Sequence, residues 1–187
     1  MKNLQLLLNN IGGFTEDQTQ AILSSTSPIV LKKKDFLLEE GAFVNQLYFI
    51  EEGFLRSFQL SDGMEISINF GQPNKFITAM NAYLQQGASE EYIQALTPAS
   101  LLAIKKEKLE QLSLDIPRLG QLTQVMFQEI IQCKEDRIKS FIQQSTHQRY
   151  QNFIKDNPAL AQIVSINHLS SYLGMAPETL SRVRAKK

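Results

Sequence analysis

The chain has 187 residues, of which 43% are hydrophobic and 20% charged, enough for a real core and too ordered a composition for general disorder. No apolar run nears the ~20 residues of a membrane helix, and the N-terminal MKNLQLLLNNIGG lacks the basic region and cleavage site of a signal peptide, so no membrane contact and a cytoplasmic location are expected. The net charge is zero but unevenly spread: residues 1–116 carry 9 Lys/Arg against 14 Asp/Glu, and residues 117–187 carry 10 against 5, which fits an acidic body joined to a nucleic-acid-binding end, with chance as the alternative for so modest an asymmetry.

Residues 4–24 read as helical, with Thr15 and Gln18 spaced as a capping box, and Pro28 breaks the pattern. From about Ile29 to Ile104 the signals are those of strands. Leu47–Ile50 is a short buried run, Phe54–Leu60 is aromatic-rich and mostly alternating, and Glu65–Phe70 alternates polar and apolar as a half-buried strand should. Tyr92–Leu96 and Leu101–Ile104 are two more short runs. Turn signals fall between them at Glu40-Gly41, Glu52-Gly53, Asp62-Gly63, Pro73-Asn74 and Thr97-Pro98. Short strands at this spacing predict an antiparallel sandwich or barrel.

After Lys105 the pattern turns helical. Lys106–Ser113 reads as a short helix, and Asp115-Ile116-Pro117 starts a long one that runs to about Gln144. Leu119, Leu122, Met126, Ile130 and Cys133 form one stripe; Phe127, Ile131, Ile138 and Phe141 form a second. Two stripes predict two partners, one of them the β-domain and the other a second copy of the helix, against a single broad core face as the alternative. Cys133 is the one cysteine, which excludes an internal disulfide framework and a four-cysteine iron–sulfur cluster held by these residues. In a helical pattern it reads as a small core residue, with a redox-sensing thiol as the alternative. Thr146–Lys155 is the next helix, ended by Asp156-Asn157-Pro158.

The densest signal lies in residues 166–185. Leu169, Leu173, Met175, Leu180 and Val183 are apolar, with small Ser170 between the first two. Gly174 stands where a first helix must stop and the chain must turn, and Pro177 stands at the first position of a second helix. Two short helices crossing over a small shared core follow. Ala176 sits at the N-cap, where Ser or Thr is better. The second helix leaves Glu178, Ser181 and Arg182 on its other face, residue types that can read major-groove edges: Arg forks onto guanine, and a carboxylate accepts from cytosine. Pro177 and Thr179 flank that face, and Arg184, Lys186 and Lys187 are expected near phosphates. An ordinary solvated surface helix is the alternative.

The stretch from His168 to Arg184 resembles the helix-turn-helix of Crp/Fnr-type transcription regulators, and residues 178–182, Glu-Thr-Leu-Ser-Arg, resemble the recognition helix of the Fnr branch. Tyr150–Pro158 resembles the segment before the motif in a Bacteroidetes-like branch. Glu40-Gly41, Leu47–Ile50, Gly53 and Gly63 resemble the glycine-punctuated strands of a cyclic-nucleotide-binding β-roll. The resemblance implies an α+β chain: residues 1–116 an antiparallel β-roll sensor domain of jelly-roll type, 117–144 a dimerisation helix, and 145–187 a helix-turn-helix domain. It implies a homodimer on a palindromic operator in double-stranded DNA, with RNA polymerase as a further partner, and Glu178, Ser181 and Arg182 as base readers.

Two departures stand out. Members that bind cyclic AMP carry Gly-Glu in a short helix and, after a loop, an Arg that pairs with the cyclic phosphate. By resemblance those positions fall on Thr78-Ala79 and near Ser89, where both charged groups are missing and Glu90 and Glu91 would repel a phosphate. No cofactor is expected, and the effector that a degenerate pocket near Thr78, Ala79 and Ser89 could hold is left open. The chain also ends at Lys187, leaving little room for a β-hairpin wing; lower affinity or a shortened chain would each account for that. A ligand-binding β-roll without DNA function is the competing reading. Enzyme chemistry is not expected: the histidines, His147 and His168, both lie outside residues 29–104, so a cupin-type metal site has no ligands, and no activated nucleophile is evident.

Overall fold

The computed structural model describes residues 1–185, which fall into two compact units: Met1–Ser57 with Phe70–Gln124, and Phe58–Asn69 with the chain from Val125 onward. Lys186 and Lys187, expected near phosphates, lie outside the described residues.

The first unit opens with α1 (Lys2–Ile11) and α2 (Glu16–Ser24). The sequence predicts one helical region here, but Gly12 and Gly13 both take positive φ, 70° and 80°, and break it. Thr15 does cap α2, its side chain accepting from the Gln18 amide while Gln18 reaches back to the Thr15 amide. Eight strands follow: β1 (Ser27–Leu31), β2 (Phe36–Leu38), β3 (Gln46–Glu52), β4 (Leu55–Ser61), β5 (Met64–Gly71), β6 (Phe76–Ile77), β7 (Tyr92–Ala95) and β8 (Ala99–Lys105). They form two four-stranded sheets, in the orders β1-β8-β3-β6 and β2-β7-β4-β5, the topology of an antiparallel jelly roll. The helical pattern has ended at Ser24 before Pro28, which sits within β1, an edge strand, where its missing N–H is tolerated.

β3 and β8 are central in their sheet and pair Leu47 with Ile104, Phe49 with Leu102 and Ile50 with Leu101. Their buried runs make continuous apolar sequence, as the two short runs predict. Gly53 takes φ 89°, and a Cβ there would lie 2.4 Å from the Pro98 carbonyl oxygen, so the β3–β4 turn admits only glycine. Arg56 of β4 is fully buried, which alternation does not reveal. A short helix, α3 (Met80–Gln85), carries no periodicity and is not evident in the sequence. α4 (Lys106–Asp115) comes next.

At the amino end, Glu51 of β3 accepts from the amides of Asn3 and Leu4 and lies 2.8 Å from the Met1 ammonium. Burial alone would raise this carboxyl, but the ammonium and the two amides outweigh that and hold it below the ordinary glutamate value.

α5 (Pro117–Gln143) begins with Pro in its first turn, as predicted. Leu119 is buried, and Leu122, Met126, Phe127 and Ile130 are half-buried. Cys133, expected in the core, is exposed, as are Ile131, Ile138 and Phe141 of the second stripe. A single chain leaves this part of the helix without cover. The second unit continues with α6 (Thr146–Asp156), α7 (Pro158–Ile163), α8 (Ile166–Leu173) and α9 (Pro177–Ala185). Ser145 and Gln148 form a capping box at the start of α6. Pro158, which ends α6, also occupies the first turn of α7, a helix too short to announce itself.

Residues 58–69, the distal part of the β4–β5 hairpin, belong to this second unit. Here the alternation of β5 is overturned. Ser67 is fully buried, while Ile66 is exposed and Ile68 and Phe70 are only half-buried. The reason is polar: the Ser67 amide donates to Ser171 Oγ at 3.1 Å, and its hydroxyl donates to the His168 carbonyl at 2.8 Å. At Ser67 the strand is bonded to α8 instead of to water.

Candidate nucleic-acid interface

α8 begins at Ser165, whose hydroxyl accepts from the His168 amide, and ends at Gly174 with φ 62° and ψ 49°, the left-handed conformation that the sequence predicts for it. The Met175 amide returns to the Ser170 carbonyl at 3.0 Å and the Gly174 amide to Ser171 at 3.4 Å, the two bonds of a Schellman turn. α9 starts three residues later on Pro177. Leu169 and Leu180 are fully buried, Leu173, Val183 and Ser170 nearly so, and Phe153, Leu160 and Val164 complete the small core. Burying those five α8 and α9 side chains fixes which face of α9 remains free.

That free face carries Glu178, Ser181 and Arg182, all exposed. Pro177 and Thr179 are half-exposed beside them. Glu178 lies in the first turn of α9 and Arg182 and Arg184 in its last, each where the helix dipole favours its charge. Arg182 Nε makes a 3.4 Å contact with the Glu178 carbonyl, which leaves most of its donors available. Arg184 is placed differently: half-buried, it donates to Tyr150 Oη and the Ala161 carbonyl, both at 3.3 Å, and lies over the Tyr150 ring. His168 faces Glu65, with Nε2 3.8 Å from the carboxylate. Arg137 and Arg149, which sequence reasoning left without a role, donate to backbone carbonyls around the α8–α9 turn. Composition and spacing hold no signal for that use, because it depends on elements far apart in the chain.

The pocket positions lie in the first unit. Thr78 donates to the Gln46 carbonyl at 2.9 Å, Ala79 is buried, and Ser89 is tied into its own loop through the amide and carbonyl of Glu91. The Glu91 carboxylate accepts from Ser57. Lys106 is spent on the Tyr83 and Leu84 carbonyls that end α3, and lies over the Tyr83 ring. Burial and the nearby Glu110 charge push the Tyr83 phenol up to about 12, so it stays neutral. Among the described residues no group of three or more His, Cys, Asp or Glu is placed to hold a metal, and no helix is long and apolar enough to cross a membrane.

A jelly roll followed by a long helix and a compact helical unit is the architecture of Crp/Fnr-type structures. Residues 28–115 match the model of the cyclic nucleotide-binding domain. The chain is 31% identical over 167 residues to the transcriptional activator protein Anr of Pseudomonas protegens, covering 82% of this chain and 67% of that protein. Among solved structures, FixK2 from Bradyrhizobium japonicum superposes with a TM-score of 0.75 at 20% identity, covering 86% of this chain and 83% of that one. The c-di-GMP-responsive regulator CLP of Xanthomonas campestris gives 0.73 at 16% identity, covering 92% and 91%. The chain belongs to the Crp/Fnr family of transcription regulators.

Proposed function

We propose that this chain is a homodimeric, sequence-specific regulator that inserts α9 into the major groove and reads base edges with Glu178, Ser181 and Arg182. One observation carries the reading: the α8–α9 core turns Leu180 and Val183 inward and leaves those three side chains exposed together on the opposite face. Pro177 and Thr179 border the bases, and Arg184 braces α9 against α6 and α7 beside the backbone. The exposed Ile131, Ile138 and Ile142, stepping by seven and four along α5, support pairing with a second copy. A two-fold pair would present recognition helices about 34 Å apart, on the half-sites of a palindrome. Tyr150–Pro158 supports a place in the Bacteroidetes-like branch. A cytoplasmic site of action and contact with RNA polymerase follow from the regulatory role.

The β-roll is proposed not to answer to cyclic nucleotides. The side chains at Thr78, Ala79 and Ser89 offer no cation for a cyclic phosphate, and their hydroxyls are already bonded within the fold. The domain match speaks to the fold of residues 28–115, not to its ligand. Calorimetry with cyclic AMP and cyclic GMP checks this: micromolar binding of either would defeat it.

Selection of bound sequences from a random DNA pool, followed by anisotropy titrations, tests the DNA reading. Arg182→Ala should cost about 1–3 kcal/mol on the selected site and relax preference at one base pair. Full specific binding by that variant would remove Arg182 from the reading face.

A further inference from the structure

A recognition helix reads DNA only if its direction is held, and α9 hangs from α8 by a short turn. α8 and that turn end in three successive carbonyls, Tyr172, Leu173 and Gly174, beyond reach of the helix's own amides. Two arginines from other elements take all three. Arg137 of α5 donates Nη2 to Tyr172 O at 3.0 Å. Arg149 of α6 donates Nε to Leu173 O at 2.9 Å and Nη2 to Gly174 O at 3.4 Å.

Each arginine is also anchored elsewhere. Arg137 donates to the carbonyls of Ser67 and Ile68 on β5, and Arg149 donates Nη1 to Gln144 O, at 2.8 Å, just past the end of α5. Both guanidinium carbons lie over the ring of Phe141, at 5.4 and 5.2 Å. Phe141 in turn floors the turn itself: a Cβ on Gly174 would meet its Cε1 at 2.5 Å. A planar fork with five donors suits such shared duty, and a lysine ammonium does not.

We infer that Arg137 and Arg149, seated on Phe141, are positioning residues for DNA reading: they lock the α8–α9 turn to the end of α5 and so set the direction of α9 and the half-site spacing that a two-fold pair accepts. None of the three contacts DNA in this role. The inference rests on the DNA-reading function proposed above. Because Arg137 also holds Ser67 and Ile68, the β4–β5 hairpin is part of the same lock.

The test uses the full chain as wild type, Arg149→Lys, Arg149→Gln and Phe141→Leu, with Arg182→Ala as comparator. Affinity is measured on the selected palindrome and on versions with half-site spacing changed by one or two base pairs, over a range of salt. Amide exchange across residues 170–177 is measured without DNA. Wild type should favour one spacing by roughly tenfold or more, and the lock variants should flatten this to about threefold or less while keeping base preference within each half-site. Their salt slope should match wild type, whereas loss of a phosphate contact would lower it by about 1. Their Met175 amide should exchange at least about tenfold faster while the Leu169 amide keeps its protection. Wild-type protection of the turn in Arg149→Lys and Arg149→Gln, or a reduced salt slope, overturns the inference. A wild type without sequence preference sinks the DNA-reading function instead, and the exchange arm still decides whether the lock exists.

Discussion

Replacing Gly174 by alanine brings two separable penalties to bear on the turn between α8 and α9. The first is backbone: at φ 62° and ψ 49° an alanine is held in the left-handed region at a cost of about 1–2 kcal/mol. The second is steric: the new methyl would stand 2.5 Å from Phe141 Cε1 and 3.2 Å from Cδ1, and pushing the ring aside adds about 1–3 kcal/mol. Together they predict a loss of roughly 2–5 kcal/mol from the second unit. A double-mutant cycle with Phe141→Ala separates them, read by denaturant titration with exchange at α8 as a local probe. In the Phe141→Ala background, Gly174→Ala should cost only the backbone share, about 1–2 kcal/mol. An equal penalty in both backgrounds would refute the steric part, and a loss below about 0.5 kcal/mol would refute the whole account of the turn.

Leu180→Ala should destabilise the second unit by about 2–5 kcal/mol, since this side chain is fully buried, while Ser181→Ala one residue on should stay within about 0.5 kcal/mol yet weaken DNA binding. Thermal melts and anisotropy on the pair check that the two faces of α9 have separate duties. Ser67→Ala should cost about 1 kcal/mol, because a buried hydroxyl bond to the His168 carbonyl is lost, leaving that carbonyl the Ser171 hydroxyl, and faster exchange in α8 is the readout. The Glu51 carboxyl is held below its unfolded value, so its contribution to docking α1 is complete above the ordinary glutamate range and fades as pH falls through the lowered folded value. Acid titration of α1 exchange should show that loss in wild type, and Glu51→Gln, already weakened at neutral pH, should show little further change. An unchanged acid profile in Glu51→Gln would mean that other carboxylates govern this end.

The pair of helices α8 and α9 with its turn was legible because its information is local. Gly174 for the left-handed turn, Pro177 for a helix start, Leu and Val spacing for the inner face, and Glu178, Ser181 and Arg182 for the outer face all lie within about twenty residues and need no distant partner. The capping box at Thr15, the long α5 and the runs of β3 and β8 were legible for the same reason. Where expectation failed, a distant group had intervened. Ser67 should face water on alternation alone, but Ser171 and the His168 carbonyl, about a hundred positions away, satisfy it in a buried site. Cys133 and Ile138 have the right spacing for a core, yet a helix decides burial only when something covers it.

By itself the sequence determined a strand-rich body, the long helix after it and the residues offered on α9, because periodicity and turn chemistry act over a few residues; the jelly roll came with the family resemblance, and α3 and α7 were too short to show. Only the tertiary structure decided that Arg137, Arg149 and Phe141 converge on the turn, that Arg184 lies against Tyr150, and that the β4–β5 hairpin is bonded to α8. The physical reason is that a guanidinium on a helix is the same solvated charge in every sequence pattern until folding brings carbonyls to it. Which carbonyls those are is a property of three elements at once.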